Sequence, residues 1–460
     1  MKKTKILCTI GPATQSADAI RLLIQNGMNA ARINTSHGDF DQYRQLIHTV
    51  RQVADIPIVM DTQGPKVRLR MERTLQLHPG EALRVGFQPA QKFYLDAPIH
   101  AQLMPGDPAI IDDGGFDAVI EEKTEDTILF RFLNGGELVS GRAVNFPGKI
   151  LPLDPLTDKD RCFLAFACEM DIDYIALSFT RGKDDILACR AHLTNPNVKI
   201  IAKIENQQGI DNFAEILDQA DGIMVARGDM GVELPPATVP MVQKQLIKTC
   251  GAKEKLVITA TQMLQSMITN PRPTRAEISD VANAILDGSD VVMLSAETSI
   301  GQYPSGAVAM MSRIAETTEP HVDINQPSSD PSVEAAICES VRSLCRTAPV
   351  TKIVSVTRGG RTAKLISRLR LQQPILALTG ERHTCRTLHL YFGVCPVYTE
   401  SLPDSIPTVT AGMDLYNKGY LREDDLILFV SGEYRPKQFS TNTIQILSMQ
   451  DILGYANVSG

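Results

Sequence analysis

Two apolar runs near the middle of the chain each end in charged residues that could bind a metal ion beside a phosphate. In KIIAKIE, the two-residue period of a strand puts Lys203 and Glu205 on one face. In GIMVARGD, the apolar part stops before Asp229, which we expect on a turn made by Gly228 and Gly231. A lysine and two carboxylates at neighbouring strand ends could hold a divalent cation against a phosphoryl group. For either run alone, a structural salt bridge is the alternative.

Other predicted strands also end in polar residues, and their number favours an active site over isolated polar positions. In a (β/α)8 barrel the active site lies at the carboxyl ends of the strands, so such residues converge on one mouth. The reaction they favour is phosphoryl transfer, in which the protein positions the group and neutralises its charge. The additional strand-end residues are Arg32, Asn34, Ser36, Asp61, Thr261, Ser295 and Glu297.

The elements that must position these residues alternate along the chain as strands and helices. KILCTI, NAARIN and IPIVMD are predicted strands, and YIALSF, KIIAKI, GIMVA, LVITA and DVVML continue the pattern further on. From Arg68 to Gly148, short alternating runs are separated by glycine, proline, asparagine and aspartate, which predicts an inserted β domain. We therefore expect an α/β protein with a (β/α)8 TIM barrel that is interrupted by a small β-barrel lid.

A second, smaller α/β pattern follows a polar, proline-rich segment at residues 316–331, which predicts a domain junction. It comprises a helix at 333–346 and the strands KIVSVT, PILAL, GVCPVY, LILFV and TIQIL. In the barrel, Thr274 and Glu277 predict a capping box before the last strand. The expected domains are residues 1–67 and 149–330 for the barrel, 68–148 for the lid and 331–460 for the C-terminal domain.

Composition excludes several classes of protein. The 460 residues carry a net charge of −7, which argues against a nucleic-acid-binding role. No stretch approaches the roughly 20 apolar residues of a membrane span. The nine cysteines include no C-x-x-C pair, which predicts free thiols and a cytoplasmic location.

Eight motifs carry a family resemblance from residue 4 to beyond residue 360. They are TKILCTIGPA, GMNAARINTSHG, DTQGPKVR, KIENQQG, ARGDMGVE, ATQMLQSM, NPRPTRAEISDVANAILDGSDVVMLSAET and TRGGRTA. In identity and order they resemble the motifs of pyruvate kinases. The resemblance implies a homotetrameric glycolytic enzyme that transfers the phosphoryl group of phosphoenolpyruvate to ADP, giving pyruvate and ATP.

The resemblance assigns roles to the strand-end residues. Glu205 and Asp229 match the ligands of a divalent ion, normally Mg²⁺, with Mn²⁺ as an alternative. Lys203 and Arg32 match the cations that hold the transferring phosphoryl group. The substrate carboxylate would bind the amides of Gly228 and Asp229, together with Thr261. Ser295 and Glu297 would be candidates for a proton relay to the enolate, and Thr261 could orient a donor water. The implied nucleotide contacts are Asn34, His37, Arg68 and Asp113.

A glycine turn in the C-terminal domain resembles an effector site. Amides at the start of a helix could receive a phosphate, and in relatives this loop and a second one, here Ser431–Lys437, bind a phosphorylated activator. Gly359 stands where relatives that bind fructose bisphosphate often have serine, so a changed effector is one interpretation and a plain strand-to-helix turn is another. The candidate effector residues are Thr357, Arg358, Gly359, Gly360, Arg361 and Thr362.

Lys66 departs from the pattern of many relatives, which have glutamate there and bind potassium nearby. An ε-ammonium is a compact monovalent cation, so we predict that Lys66 fills this site and that potassium is not required. Gln63 and Leu69 follow the potassium-independent relatives, whereas Thr62 is the residue usual in requiring ones. A solvated turn residue is the alternative. The groups that would surround the cation are Asn34, Ser36, Asp61 and Thr62.

Two alternative functions remain at the level of sequence. A different barrel enzyme could bind an enolate or 2-oxo acid at magnesium, but the DTQGPKVR motif and the lid argue against it. A catalytically dead sensor could retain only the C-terminal phosphate site, but the four principal charged residues are all present. They are Arg32, Lys203, Glu205 and Asp229.

Overall fold

The structure, a computed structural model, describes residues 2–36, 38–324, 332–400, 408–432 and 441–459. Within these ranges, no helix combines the length and the apolar character that crossing a bilayer requires. All nine cysteines are free, as the sequence predicts.

The chain begins with three strands of the barrel, which are buried apart from the half-buried Asn34, as parallel strands covered on both faces require. The helices between them begin at side-chain caps, Ser16 for the first and the capping box of Asp39 and Gln42 for the second. These elements are β1 (Lys5–Thr9), α1 (Ala17–Gln25), β2 (Ala30–Asn34), α2 (Phe40–Val53) and β3 (Ile58–Asp61).

A separate β barrel is inserted between β3 and the next barrel helix. Seven of its strands close in the order β10-β6-β7-β4-β12-β8-β9, and the other two pair with each other. The inserted barrel therefore has its own core, which includes Phe130 and Phe132. Its strands are β4 (Arg68–Met71), β5 (Leu75–Leu77), β6 (Ala82–Gly86), β7 (Phe93–Leu95), β8 (Pro108–Ile111), β9 (Phe116–Lys123), β10 (Thr127–Phe132), β11 (Gly136–Leu138) and β12 (Arg142–Asn145).

The main barrel then resumes and closes. Its eight parallel strands lie in the order β1-β17-β16-β15-β14-β13-β3-β2, so the predicted (β/α)8 fold is confirmed. The predicted capping box of Thr274 and Glu277 is present. The elements are α3 (Asp158–Glu169), β13 (Tyr174–Leu177), α4 (Lys183–His192), β14 (Lys199–Ile204), α5 (Gln207–Asp211), α6 (Phe213–Gln219), β15 (Gly222–Ala226), α7 (Arg227–Glu233), α8 (Val239–Ala252), β16 (Leu256–Ala260), α9 (Arg275–Leu286), β17 (Val291–Leu294), α10 (Ala296–Ser299) and α11 (Pro304–Thr318).

The C-terminal domain is a five-stranded sheet in the order β20-β19-β18-β21-β22, with β22 antiparallel to β21. All five predicted strands are present. Residues 325–331 of the predicted domain junction lie outside the described residues. The elements are α12 (Val333–Thr347), β18 (Lys352–Val356), α13 (Arg361–Ser367), β19 (Ile375–Thr379), α14 (Arg382–Leu388), β20 (Val394–Tyr398), α15 (Thr408–Asn417), β21 (Leu426–Ser431), β22 (Thr443–Ser448) and α16 (Met449–Ser459).

Candidate active site

The ends of β2, β3 and β14 bring three predicted residues into one buried cluster. Asp61 accepts hydrogen bonds from Arg32 Nε at 2.7 Å and from Lys203 Nζ at 3.0 Å. Burial opposes the charge of Lys203, but the carboxylates of Asp61, Glu205 and Asp229 raise its pKa above the ordinary value. Lys203 is therefore a fixed cation at the mouth of the barrel, where it can face an anionic group.

The two predicted metal ligands lie on either side of this lysine. Glu205 Oε1 is 3.0 Å from Lys203 Nζ but has no hydrogen bond, although it is fully buried. Burial first, and then the charge of Asp229, raise the pKa of Glu205. Burial would raise the pKa of Asp229 too, but Lys66 and Lys203 lower it below its usual range. This buried oxygen, which has a cation beside it but no hydrogen bond, fits a ligand of a metal ion.

A magnesium site at these residues would be only partly made of protein. Among the described residues, no group of three or more His, Cys, Asp or Glu side chains could hold a metal ion. Two carboxylates with the rest of the shell supplied by substrate and water suit Mg²⁺, which sheds its water reluctantly. Glu205 and Asp229 therefore fit the ion that the sequence predicts.

Lys66 does not lie where the sequence predicts. Its ammonium is 3.0 Å from Asp229 Oδ1 and 4.8 Å from the centre of the Phe179 ring, and among the described residues it has no hydrogen bond to the four expected potassium ligands. The expected partners are engaged elsewhere: Asp61 by Arg32 and Lys203, Thr62 by Ala176 and Ser178, and Asn34 by the amide of Ser36 at 3.2 Å. The carboxylate of Asp229 attracts the lysine by its opposite charge, and this pair lowers the pKa of Asp229.

The segment after β15 is a short helix rather than the predicted turn. Asp229 lies in the first turn of α7, which begins directly after the strand. The amide of Gly228 donates to Thr261 Oγ1 at 2.7 Å, so the two predicted carboxylate-binding residues meet. Arg227, which the sequence reasoning missed, donates to the carbonyl of Thr261 at 2.7 Å and holds this residue at a φ of 69°.

Ser295 and Glu297 lie together after β17, where the carboxylate of Glu297 binds main-chain amides. Glu297 is buried and accepts hydrogen bonds from the amides of Ser295 at 2.7 Å and Leu264 at 3.1 Å. Both carboxylate oxygens are thus committed to holding loops that follow β16 and β17. The geometry gives Glu297 a positioning role and offers no support for proton transfer by this carboxylate.

The predicted nucleotide contacts divide between the barrel and the lid. Asn34 lines a cleft of about 720 Å³ beside α1 and α2, together with Pro12 and Tyr43. Arg68 lies on β4, where its guanidinium donates to the carbonyl of Gly141 at 2.8 Å. Asp113 is exposed at the tip between β8 and β9 with a φ of 51°. His37 lies outside the described residues.

The predicted effector loop joins β18 to α13. Thr357 Oγ1 accepts a hydrogen bond from the amide of Gly360, which has the left-handed φ of 82° that favours glycine. Arg361 Nε donates to Glu334 on α12 at 2.6 Å, and Thr362 bonds Thr441. Arg358 and Gly359 are exposed, and a side chain at 359 would meet no atom within 4 Å. Of the second loop, residues 433–437 lie outside the described residues.

Sequence reasoning also missed Ser178 and Phe179, which follow β13. Ser178 Oγ is 2.8 Å from Lys203 Nζ and donates to the carbonyl of Thr62 at 2.7 Å. The amide of Phe179 donates to Glu205 Oε2 at 2.7 Å. A signal was available, because YIALSF ends a barrel strand with a hydroxyl just as the other strands end with polar groups.

Fold and site together define a lidded (β/α)8 barrel with a cation-rich cluster at the carboxyl ends of its strands. The family model "Pyruvate kinase, barrel domain" matches residues 1–308, and "Pyruvate kinase, alpha/beta domain" matches residues 335–447. The chain therefore belongs to the pyruvate kinase family, and is a phosphotransferase.

Relatives that align with most of the chain carry the same family name. A "Pyruvate kinase" of Staphylococcus haemolyticus is 41% identical, covering 97% of this chain and 80% of its own length. "Pyruvate kinase 2" of Synechocystis is 39% identical over 98% of this chain and 80% of its own length. A "Pyruvate kinase" of Clostridium perfringens is 40% identical over 86% of this chain and 88% of its own length.

Proposed function

We propose that this chain transfers the phosphoryl group of phosphoenolpyruvate to ADP, giving ATP and, after protonation of the enolate, pyruvate. The observation that carries the proposal is the buried Lys203 ammonium, held by Asp61 and Ser178 and facing the mouth of the barrel. Phosphoryl transfer requires such preorganised positive charge, because the charge shared between donor and acceptor must be neutralised.

Each part of the cluster has a separate task in this proposal. Lys203 and Arg32 hold the transferring group, while Asp61 keeps both cations in place. Glu205 and Asp229 hold Mg²⁺ or Mn²⁺, which when bound would neutralise phosphoryl oxygens and the developing enolate. Thr261 and the start of α7 receive the substrate carboxylate, since helix amides favour an anion.

ADP is proposed to bind between the barrel edge and the lid. The cleft beside Asn34, which barrel residues line, is large enough for a nucleoside, and Arg68 on the lid would contact the phosphates. The lid also contacts the barrel directly, because Asn145 donates to Glu233 on α7 at 2.7 Å. Closure would thus join the nucleotide to the helix that carries Asp229.

Further parts of the proposal rest on the family. We expect a homotetramer in the cytoplasm, activation by a phosphorylated metabolite at residues 357–362, and activity without potassium. The basic test is production of ATP and pyruvate by the purified protein from phosphoenolpyruvate and ADP, with Mg²⁺ and without it. Absence of ATP formation with either Mg²⁺ or Mn²⁺ would contradict the proposal.

A further inference from the structure

Each proposed metal ligand has one of its two oxygens occupied by a donor from the chain. Phe179 N donates to Glu205 Oε2 at 2.7 Å, and Lys66 Nζ lies 3.0 Å from Asp229 Oδ1. Among the described residues, Oδ2 of Asp229 has no hydrogen bond, whereas Oε1 of Glu205 has no hydrogen bond but forms an ion pair with Lys203 at 3.0 Å. At Asp229, Lys66 therefore leaves one oxygen for a metal ion, and at Glu205 a metal ion would share Oε1 with Lys203.

The two donors form one unit, because Phe179 contacts Lys66 as well. The Lys66 ammonium lies 4.8 Å from the centre of the Phe179 ring, within reach of a cation–π interaction. Phe179 has a φ of 54°, and a Cβ at Gly64 would come within 2.8 Å of its ring. Glycine at 64 thus lets the loop carrying Lys66 pack on this ring.

Blocking one oxygen of each carboxylate has a consequence for metal choice. Mg²⁺ is small, demands octahedral geometry and takes single carboxylate oxygens, whereas Ca²⁺ accepts six to eight oxygens and commonly binds a carboxylate through both. We propose that Lys66 determines metal specificity: by holding Asp229 Oδ1 it prevents two-oxygen binding and favours Mg²⁺ over Ca²⁺. This inference rests on the proposed function, through the assignment of Glu205 and Asp229 as ligands.

The test measures metal binding directly, without substrates. Free Mn²⁺ is followed by its electron paramagnetic resonance signal while the protein is titrated, and Mg²⁺ or Ca²⁺ then competes for the site. In Lys66→Met, loss of a positive charge should tighten binding of both ions, but the affinity ratio of Ca²⁺ to Mg²⁺ should rise about tenfold. An unchanged ratio would overturn the inference, because a purely electrostatic effect acts on both divalent ions alike.

Three variants complete the design. Lys66→Arg should keep the wild-type ratio, since a guanidinium can still donate to Asp229. Phe179→Leu keeps the amide but removes the ring, and should raise the affinity ratio of Ca²⁺ to Mg²⁺ by a smaller factor than Lys66→Met does. Lys149→Met is the charge-matched control, because this lysine lines a cleft together with Lys66 and Phe179 but pairs with Asp107 at 2.7 Å. A rise in Lys149→Met equal to that in Lys66→Met would also overturn the inference.

Failure of the metal assignment itself would look different. If the wild type bound Mn²⁺ no better than Asp229→Asn does, then Asp229 would not be a ligand and the proposed function would lose its metal site. A wild type that binds Mn²⁺ through Asp229, with a ratio insensitive to Lys66 and Phe179, would leave the proposed function intact and refute only the role of Lys66.

Discussion

At the scale of single residues, one buried lysine organises the candidate active site. Lys203 Nζ contacts Asp61, Ser178 and Glu205, all within 3.0 Å. Such a network fixes the ammonium before substrate arrives, so little reorganisation is needed during reaction. Loss of the lysine would also leave the buried Glu205 without its cation and Asp61 with Arg32 alone, which is costly in itself.

We predict that Lys203→Met lowers kcat by about two to four orders of magnitude, as expected for loss of a major electrostatic contact to the transition state. Steady-state kinetics with phosphoenolpyruvate and ADP measures the effect, and circular dichroism checks that the variant is folded. A folded variant with less than a tenfold loss would remove Lys203 from the proposed role.

The second prediction at this scale concerns potassium. Lys66 does not occupy the expected potassium site, but it brings a tethered monovalent charge within 3.0 Å of Asp229 in the same cluster, so we expect a diffusible monovalent cation to be dispensable. The wild type is expected to be nearly fully active in buffers free of potassium and ammonium, and Lys66→Glu to acquire a potassium requirement. Strong stimulation of the wild type by potassium, at fixed Mg²⁺ and ionic strength, would contradict this.

At the scale of elements, helices that start directly after strands carry much of the site. α7 begins at Arg227 without an intervening loop, which aims its first amides at the mouth of the barrel. In the C-terminal domain, α13 follows β18 after the short turn at residues 357–360, and its first residue pairs with Glu334 on α12. An anionic ligand at this turn must compete with Glu334 for Arg361.

We therefore predict opposite effects on activation from the two partners of this pair. Arg361→Ala should weaken or abolish activation by whichever sugar phosphate or AMP activates the wild type, with turnover in its absence nearly unchanged. Glu334→Gln should lower the activator concentration needed, because the guanidinium loses its competing anion. Initial rates across activator titrations test both, and lack of any activation of the wild type would discard the effector site.

At the scale of the whole molecule, buried ion pairs join the C-terminal domain to the barrel. Arg370 pairs with Asp290 at 2.6 Å just before β17, and Arg386 pairs with Asp173 at 2.7 Å just before β13. Both aspartates lie at the amino ends of barrel strands, opposite the active site. The C-terminal domain thus contacts the barrel at the amino ends of β13 and β17. The carboxyl ends of the same two strands are followed by Ser178 and Ser295.

Asp173 makes this contact sensitive to acid. Burial would raise its pKa, but His383, Arg51 and Arg386 lower it to about 2. A carboxylate with a lowered pKa stabilises the fold fully above its unfolded pKa, and this contribution is lost as the pH falls from about 4 to about 2. It corresponds to about 2 kcal/mol.

We predict that Asp173→Asn lowers the thermal midpoint near pH 7 and that its difference from the wild type shrinks as the pH falls below about 4. Unfolding curves at a series of pH values measure this. Asp171→Asn is the control, since Asp171 pairs with the same Arg386 but is largely exposed. If the difference in thermal midpoint between wild type and Asp173→Asn stayed constant down to pH 3, Asp173 would not be the group that makes the fold sensitive to acid.

The sequence by itself determined the elements and their order. Eight barrel strands, five C-terminal strands and the Thr274 capping box were all readable, because apolar runs, caps and turn residues act over a few neighbouring positions. It also indicated which strand ends carry Arg32, Asp61 and Lys203, because the carboxyl ends of parallel strands in a barrel meet at one mouth.

Only the tertiary structure decided which partners these side chains choose. Lys66 pairs with Asp229 across 163 positions, Lys203 with Asp61 across 142, and Arg386 with Asp173 across 213. A flexible lysine can reach several carboxylates, and the packing of Gly64 on Phe179 selects one of them. Such choices depend on which groups remain unpaired once the barrel has closed, and no local pattern records that.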